Sequence, residues 1–192
     1  MWRAAILAIG ITTIARAVPA QVAVAPVTAD HLELEQLAGT WYEVATSGAW
    51  SHRRCVADTQ FEWEVTSATT IAVQRTCATV SGPETKRGHL RARDASTPAR
   101  LSLRFAPAVF SWVRATWHDH WVLAAAPDRR WLLIGDRRRE RLSVLSRTVF
   151  LEEGSLAMAI AQARSQGFDV DRLAPVRHGP APMAPTVLGP GR

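Results

Sequence analysis

Apolar and polar residues alternate with a period of two through much of the chain. That pattern predicts strands with one face on a core and one in water. It is cleanest over 57–65, where Ala57, Thr59, Phe61, Trp63 and Val65 share one face and Asp58, Gln60, Glu62 and Glu64 the other. After small polar residues at 66–69, the run 71–77 returns with Ile71, Val73, Arg75 and Cys77 on a common face. Further strands are predicted at 41–45, 87–93, 100–105, 121–125, 131–135 and 142–147. In 87–93, Leu90 and Ala92 face inward and His89, Arg91 and Arg93 outward; in 100–105, Leu101, Leu103 and Phe105 face inward. Ser81-Gly82-Pro83, Ser96-Thr97-Pro98 and Pro127-Asp128-Arg129 read as breaks and turns. The stretch 106–120, with Pro107, Trp112 and Trp117, has no clear period.

The period then changes. Leu156, Ala159, Ile160 and Ala163 recur at helical spacing within 152–166, with Glu152 and Glu153 at the start and Gly167 just past the end. A stripe made mainly of small side chains suits a helix lying flat on the outside of a sheet. Ahead of the strands, 31–37 is expected to form a short helical turn capped by Asp30, with Leu34 and Leu37 turned inward. Eight strands in succession, joined mostly by tight turns, favour nearest-neighbour pairing. The expected fold is all-β: an eight-stranded antiparallel up-and-down barrel with one C-terminal helix packed outside. Such a barrel is wide enough to be filled by its own side chains or to hold one small ligand.

The ends differ in character from the middle. Residues 1–20 carry Arg3, an apolar stretch from Ala4 to Ile14 and small residues at Ala17 and Ala20, the pattern of a cleaved export signal. Residues 21–33 are expected to be a linker and lead-in turn, 34–173 the barrel plus helix, and 174–192 a disordered Pro- and Gly-rich tail. The product would be exported, periplasmic or secreted, and soluble after cleavage. Two cysteines, Cys55 and Cys77, then suggest one disulfide, two buried thiols being the alternative. Closing that loop would contribute about 3 kcal/mol.

The chain has 192 residues, with 23 Lys and Arg against 17 Asp and Glu. The excess leaves room for peripheral contact with anionic membrane lipids, for which Arg137–Arg141 is a candidate beside its plainer role as a solvated hairpin tip. No nucleic-acid partner is expected. Eight of the fourteen aromatic residues are Trp.

The stretch Gly39-Thr40-Trp41-Tyr42-Glu43, the run Leu145-Ser146-Arg147-Thr148 and the ending Gln166-Gly167-Phe168-Asp169-Val170 resemble the lipocalins, in particular their bacterial, apolipoprotein D-like branch. The likeness covers about 34–173. The placement of Cys55 and Cys77 also looks like that branch. The family's middle signature is reduced here to Asp128, and the lipid-attachment Cys of some bacterial members is missing. The resemblance implies that Gly39, Trp41, Asp128 and Arg147 are structural. Trp41 would seal the closed end of the barrel with Arg147 over its ring, a cation–π contact worth about 1 kcal/mol.

If Trp41 points inward, parity turns Glu43 and Ala45 inward too. The expected ligand-binding lining is Glu43, Thr59, Phe61, Trp63, Val73, Arg75, Leu90, Ala92, Leu101, Leu103 and Phe105, a largely apolar wall of the kind that holds small molecules. An inward Arg75 needs a partner: Glu43, or the carboxylate or phosphate of a ligand. The pair His118 and His120 lacks a third ligand, so no metal is assigned and a solvated loop is expected there. No cofactor or catalytic residue is expected. The function read from these features is binding, storage or transport of a small hydrophobic ligand such as a fatty acid or lysophospholipid. The alternatives are an enzyme on the same barrel, with Glu43 as its inward carboxylate, and a protein binding surfaces through Trp50, Trp112 and Trp117.

Overall fold

The computed structural model describes residues 24–47 and 54–179. The export signal of 1–20, Trp50 and the far end of the tail lie outside the described residues.

The strands are β1 (Gly39–Thr46), β2 (Cys55–Ser67), β3 (Thr70–Thr79), β4 (Gly82–Ala92), β5 (Arg100–Arg104), β6 (His118–Ala125), β7 (Trp131–Gly135), β8 (Leu142–Ser146) and a short β9 (Ala174–Pro175). Each of β2 to β8 pairs antiparallel with the next, and β1 closes the ring by pairing with both β8 and β2. The barrel is therefore the eight-stranded up-and-down meander expected, with α1 (Glu153–Ser165) packed outside. By this topology the 79–82, 105–117 and 136–141 connections lie at one end, the mouth, and Gly39 lies at the other.

Two cores result. Inside the closed half, Leu32, Leu34, Leu37, Trp41, Trp63 and Leu101 pack with inward residues of β3–β8. Outside, Leu123, Trp131, Leu133, Leu142 and Val144 meet Ala159, Ala163 and Phe168. Strands β7 and β8 are buried on both faces because the helix covers them, which is why β7 reads as continuously apolar, while β8 carries two buried serines, Ser143 and Ser146. Ala159 and Ala163 are fully buried; small side chains let the helix axis approach the sheet. The helix ends in a Schellman motif: Phe168 N donates to Ala163 O and Gly167 N to Arg164 O. Gly167 supplies the φ of 79° that this ending requires.

Several expectations are corrected. The first helical turn is a 3-10 turn, Leu34–Leu37, preceded by Glu33 rather than Asp30 as its cap, with Glu33 N donating to Gln36 Oε1. Strand β4 begins at Gly82, not near Arg87: Pro83 sits at the start of the strand, where a missing donor is tolerated. Strand β6 begins at His118, so the two histidines are on a strand and not in a solvated loop. A bulge between Glu43 and Ala45 breaks the parity of β1 and turns Ala45 into the outer core.

The tail is also corrected over its first residues. Ala174–Gly179 is an ordered strap lying between the upper halves of β1 and β2, which separate beyond the Tyr42–Gln60 pair. Val176 N donates to Val44 O, Asp58 N to Arg177 O and Gly179 N to Asp58 Oδ1. His178 Nε2 lies 2.8 Å from Glu43 O, its ring edge-on to Tyr42. Asp58 adopts a φ of 53° at this seam, a conformation that Asp tolerates better than most residues.

Candidate functional site: the barrel interior

The closed end is built as the signature residues imply. Arg147 projects from the end of β8, and its guanidinium carbon stands 3.7 Å from the centroid of the Trp41 ring. Arg147 donates to Thr40 O at 3.1 Å and to Gln36 O at 2.9 Å, tying the entry turn to the barrel floor. Trp41 is fully buried and donates from Nε1 to Leu37 O. Gly39 has a φ of 99°, and a Cβ there would lie 3.1 Å from Arg147 Nη1. Asp128 stays on the exposed β6–β7 turn, accepting from Arg130 N and Nε.

Ten of the eleven expected lining residues are buried, and Phe105 is half-buried. They do not form one surface. Trp63, Val73, Leu90, Ala92 and Leu101 belong to the solid core above the floor. Thr59 lines a separate cavity of about 210 Å³ at the seam beneath the strap, together with Thr46, Cys55 and Pro175. The remaining five, Glu43, Phe61, Arg75, Leu103 and Phe105, surround a void in the upper barrel with His120, Ser143 and Leu145. Its free volume is about 10 Å³, room for one water. A larger hollow, about 720 Å³, is bounded by β2–β4 and by Phe105–Pro107, with Glu62, Glu64, Arg87 and His89 among its charged or titratable residues.

The wall of the void is almost wholly apolar, with four polar side chains, Glu43, Arg75, His120 and Ser143, set around it. Ser143 Oγ lies 2.7 Å from Glu43 Oε1 and 3.1 Å from Thr46 Oγ1. His120 is fully enclosed, edge-on to Trp63. Burial, with the nearby Arg141 charge, pushes its pKa down to about 3, so the ring is neutral at physiological pH.

Arg75 pairs with Glu84, not with Glu43: Nη2 donates to Glu84 Oε1 at 2.7 Å. The guanidinium carbon also stands 5.3 Å from the centre of the Phe105 ring. Burial pulls the Arg75 pKa below its ordinary value, against the opposing pull of Glu84 and then Glu43. Glu84 is shared with Lys86 at 3.5 Å and Arg54 at 3.6 Å. Partial desolvation works against its ionisation, yet Lys86, Arg75 and Arg54 hold its carboxyl below the usual glutamate value. Among the described residues, four donors of the barrel strands β2, β3 and β5 have no acceptor: Arg75 Nε, Trp63 Nε1, Thr59 Oγ1 and Arg104 Nε.

Sequence reasoning missed Glu84 and Ser143, and placed His120 in a solvated loop instead of the barrel interior. Glu84 faces Cys77 across the β3–β4 hairpin, a register legible only if Pro83 is taken as a strand residue. Extending the 121–125 strand back by three residues would have placed His120 on the inner face with Val122.

Cys55 and Cys77 form a disulfide that ties the start of β2 to the end of β3. Among the described residues, the one group of His, Cys, Asp and Glu close enough to share an ion is Cys55, Cys77 and Glu84. Both sulfurs are engaged in the disulfide, so the group is not a metal donor set.

A closed meander, a floor sealed by an arginine-capped indole and an outside helix define a calyx protein. The chain belongs to the lipocalin family: the model of a lipocalin-like domain matches residues 32–178, a span that includes the strap. It is 29% identical over 147 residues to temperature-induced lipocalin-1 of Arabidopsis thaliana, covering 74% of this chain and 77% of that one. The fold is similar to that of lobster apocrustacyanin A1, with a TM-score of 0.61 and 14% identity over 76% of this chain and 79% of the other. It is also similar to insecticyanin of the tobacco hornworm Manduca sexta, with a TM-score of 0.60 and 17% identity over 82% and 86%.

Proposed function

We propose that the protein takes a small amphiphilic ligand, a fatty acid, lysophospholipid or similar lipid, into the upper barrel and stores or carries it without covalent chemistry. Binding of small hydrophobic molecules is the role that lipocalin membership suggests. The observation that supports a polar-headed ligand is Arg75 Nε, a buried donor with no acceptor at the edge of the void. Native interiors satisfy nearly all such donors, and a carboxylate or phosphate would do so with a charge-assisted bond. Because Glu84 serves three cations, the rim does not repel an anion.

The void admits no acyl chain as it stands. Entry requires Phe105, half-buried and resting against Arg75, to swing toward the mouth. Covering about 300 Å² of ligand apolar surface would then contribute about 7 kcal/mol gross, lowered by ordering costs. The charge-assisted bond from Arg75 adds to this, and titration is expected to find affinity in the micromolar range.

Export to the periplasm or medium is part of the same reading, supported by the disulfide and the signal-like pattern of 1–20, as is a place in the bacterial, apolipoprotein D-like branch.

The test is titration with a fatty acid and a lysophospholipid, wild type against Arg75→Ala, with the unfolding midpoint measured alongside. A tenfold or greater loss of affinity in a folded variant is expected. Unchanged affinity refutes the role of Arg75. Lipid recovered intact and in stoichiometric amount marks a carrier; product accumulating with time would replace that reading with the enzyme.

A further inference from the structure

The β5–β6 connection is ordered, yet it holds apolar side chains out in water. Trp112 is 80% exposed, Val109 69% and Phe110 47%. Short 3-10 turns build the loop: Phe110 N donates to Pro107 O, Val113 N to Phe110 O, Thr116 N to Val113 O and Trp117 N to Arg114 O. Side chains brace it. Trp117 Nε1 donates to Ser111 O at 2.9 Å, Thr116 Oγ1 to Val113 O at 2.7 Å, and buried Arg104 reaches Pro107 O at 2.6 Å. The same polar groups that fix the backbone leave the three apolar side chains facing away from the barrel. Exposed apolar clusters on ordered loops mark contact surfaces.

The ground beside this knuckle is basic. Arg91 and Arg104 stand 4.6 and 4.9 Å from the Trp117 ring centre, and Trp117 is bonded to the residue before Trp112. Arg87, His89 and Arg91 follow one another along the outer face of β4, and Arg100 and Arg104 along that of β5, with no carboxylate on either outer face. Arg114 is exposed within the loop. None of Arg87, Arg91 and Arg114 has an ion pair among the described residues; Arg87 Nε donates to Gln74 Oε1, and Glu62 and Glu64 lie across the same hollow from it. By contrast, the Arg137–Arg141 tip considered from sequence is largely committed: Arg141 pairs with Asp136, Arg139 bonds Gln166 O and Val24 O, and Arg137 lies near Asp119.

We propose that the β5–β6 loop docks the barrel on a lipid bilayer bearing anionic headgroups, with Val109, Phe110 and Trp112 entering the interface and Arg87, Arg91 and Arg114 meeting phosphates. An apolar cluster flanked by cations that no carboxylate neutralises matches that surface in both its layers, and Trp is suited to the boundary between them. A soluble polyanion would use the cations and leave the knuckle uncovered. The loop lies at the mouth, so docking would bring the barrel opening to the lipid; the proposal stands without any ligand inside.

The experiment is co-sedimentation of the full chain with vesicles of phosphatidylcholine alone and with added phosphatidylglycerol. Binding to the mixed vesicles, weakened by salt and lower on neutral ones, is expected. Trp112→Ser, which removes no buried contact, should lower it about tenfold or more. Arg87→Gln and Arg114→Gln should each lower it about fivefold, while Arg164→Gln on the helix leaves it unchanged. No association of the wild type, or equal association of the wild type and Trp112→Ser, overturns the proposal. So does retention on heparin that is indifferent to Trp112→Ser without any vesicle binding.

Discussion

His120 offers a quantitative test of how tightly the upper barrel is packed. Burial first, and the Arg141 charge second, hold its folded-state pKa near 3, whereas an unfolded histidine titrates near 6.5. A depressed folded pKa means that the unfolded chain takes up a proton the native one refuses. Stability attributable to this group is therefore complete above about pH 6.5 and is lost as pH falls from there toward 3. The loss is about 1.4 kcal/mol at pH 5.5 and continues at about 1.4 kcal/mol per further unit. Urea unfolding of the disulfide-intact protein at pH 7.5, 6.5 and 5.5, followed by Trp fluorescence, measures it. His118 is also lowered, by desolvation first, and acts in the same direction, so the quantity to compare is the pH slope of wild type against His120→Gln. The variant should lose about 1.4 kcal/mol less between pH 7.5 and 5.5, whatever its stability at neutral pH. Parallel slopes would show that His120 is hydrated in solution and that the upper barrel is open to water.

Arg147→Leu should destabilise the protein by about 2 kcal/mol, since it removes two carbonyl contacts and the stacking on Trp41 while keeping the bulk; thermal unfolding checks it. Gly39→Ala should cost about 1–2 kcal/mol, because the left-handed backbone and the nearby guanidinium both oppose a methyl group, and the same melts report it. Reduction of Cys55–Cys77 should lower stability by about 3 kcal/mol, read as a shift in urea midpoint between oxidised and reduced protein. Ending the chain at Leu173 should speed hydrogen exchange of the Asp58 amide, which loses its acceptor on Arg177, and leave the amides of β7 unchanged.

The parts of the fold legible in sequence are those where side chains alone carry the signal. Strand β2 alternates because one face meets the interior and the other water, and the helix announces itself through Ala159 and Ala163. Trp41 and Arg147 are about a hundred residues apart and were paired only through family resemblance; no local pattern joins them. Other features are written in the main chain. The strap is held chiefly by backbone bonds, so its proline and glycine, at the head of a Pro- and Gly-rich tail, read as disorder. The bulge at Glu43–Ala45 inverts a parity that residue types cannot reveal, since Ala suits either face. The interior site was legible as apolar positions but not as a shape. Whether Trp63 and Leu101 line a hollow or fill it depends on packing across the barrel, between strands far apart in sequence.

The strap has a consequence for how this chain tolerates change. Its grip on β1 and β2 depends chiefly on where successive peptide groups fall, and little on which side chains they carry. Substitutions along it should be silent so long as the chain remains extended, except at His178, whose ring bonds Glu43 O and packs on Tyr42. Inserting or deleting one residue inside the strap, between Val176 and Arg177, would instead put its donors and acceptors out of step with β1 and β2 and loosen the ring at that join. At this join the spacing of the chain, more than its lettering, keeps the wall shut.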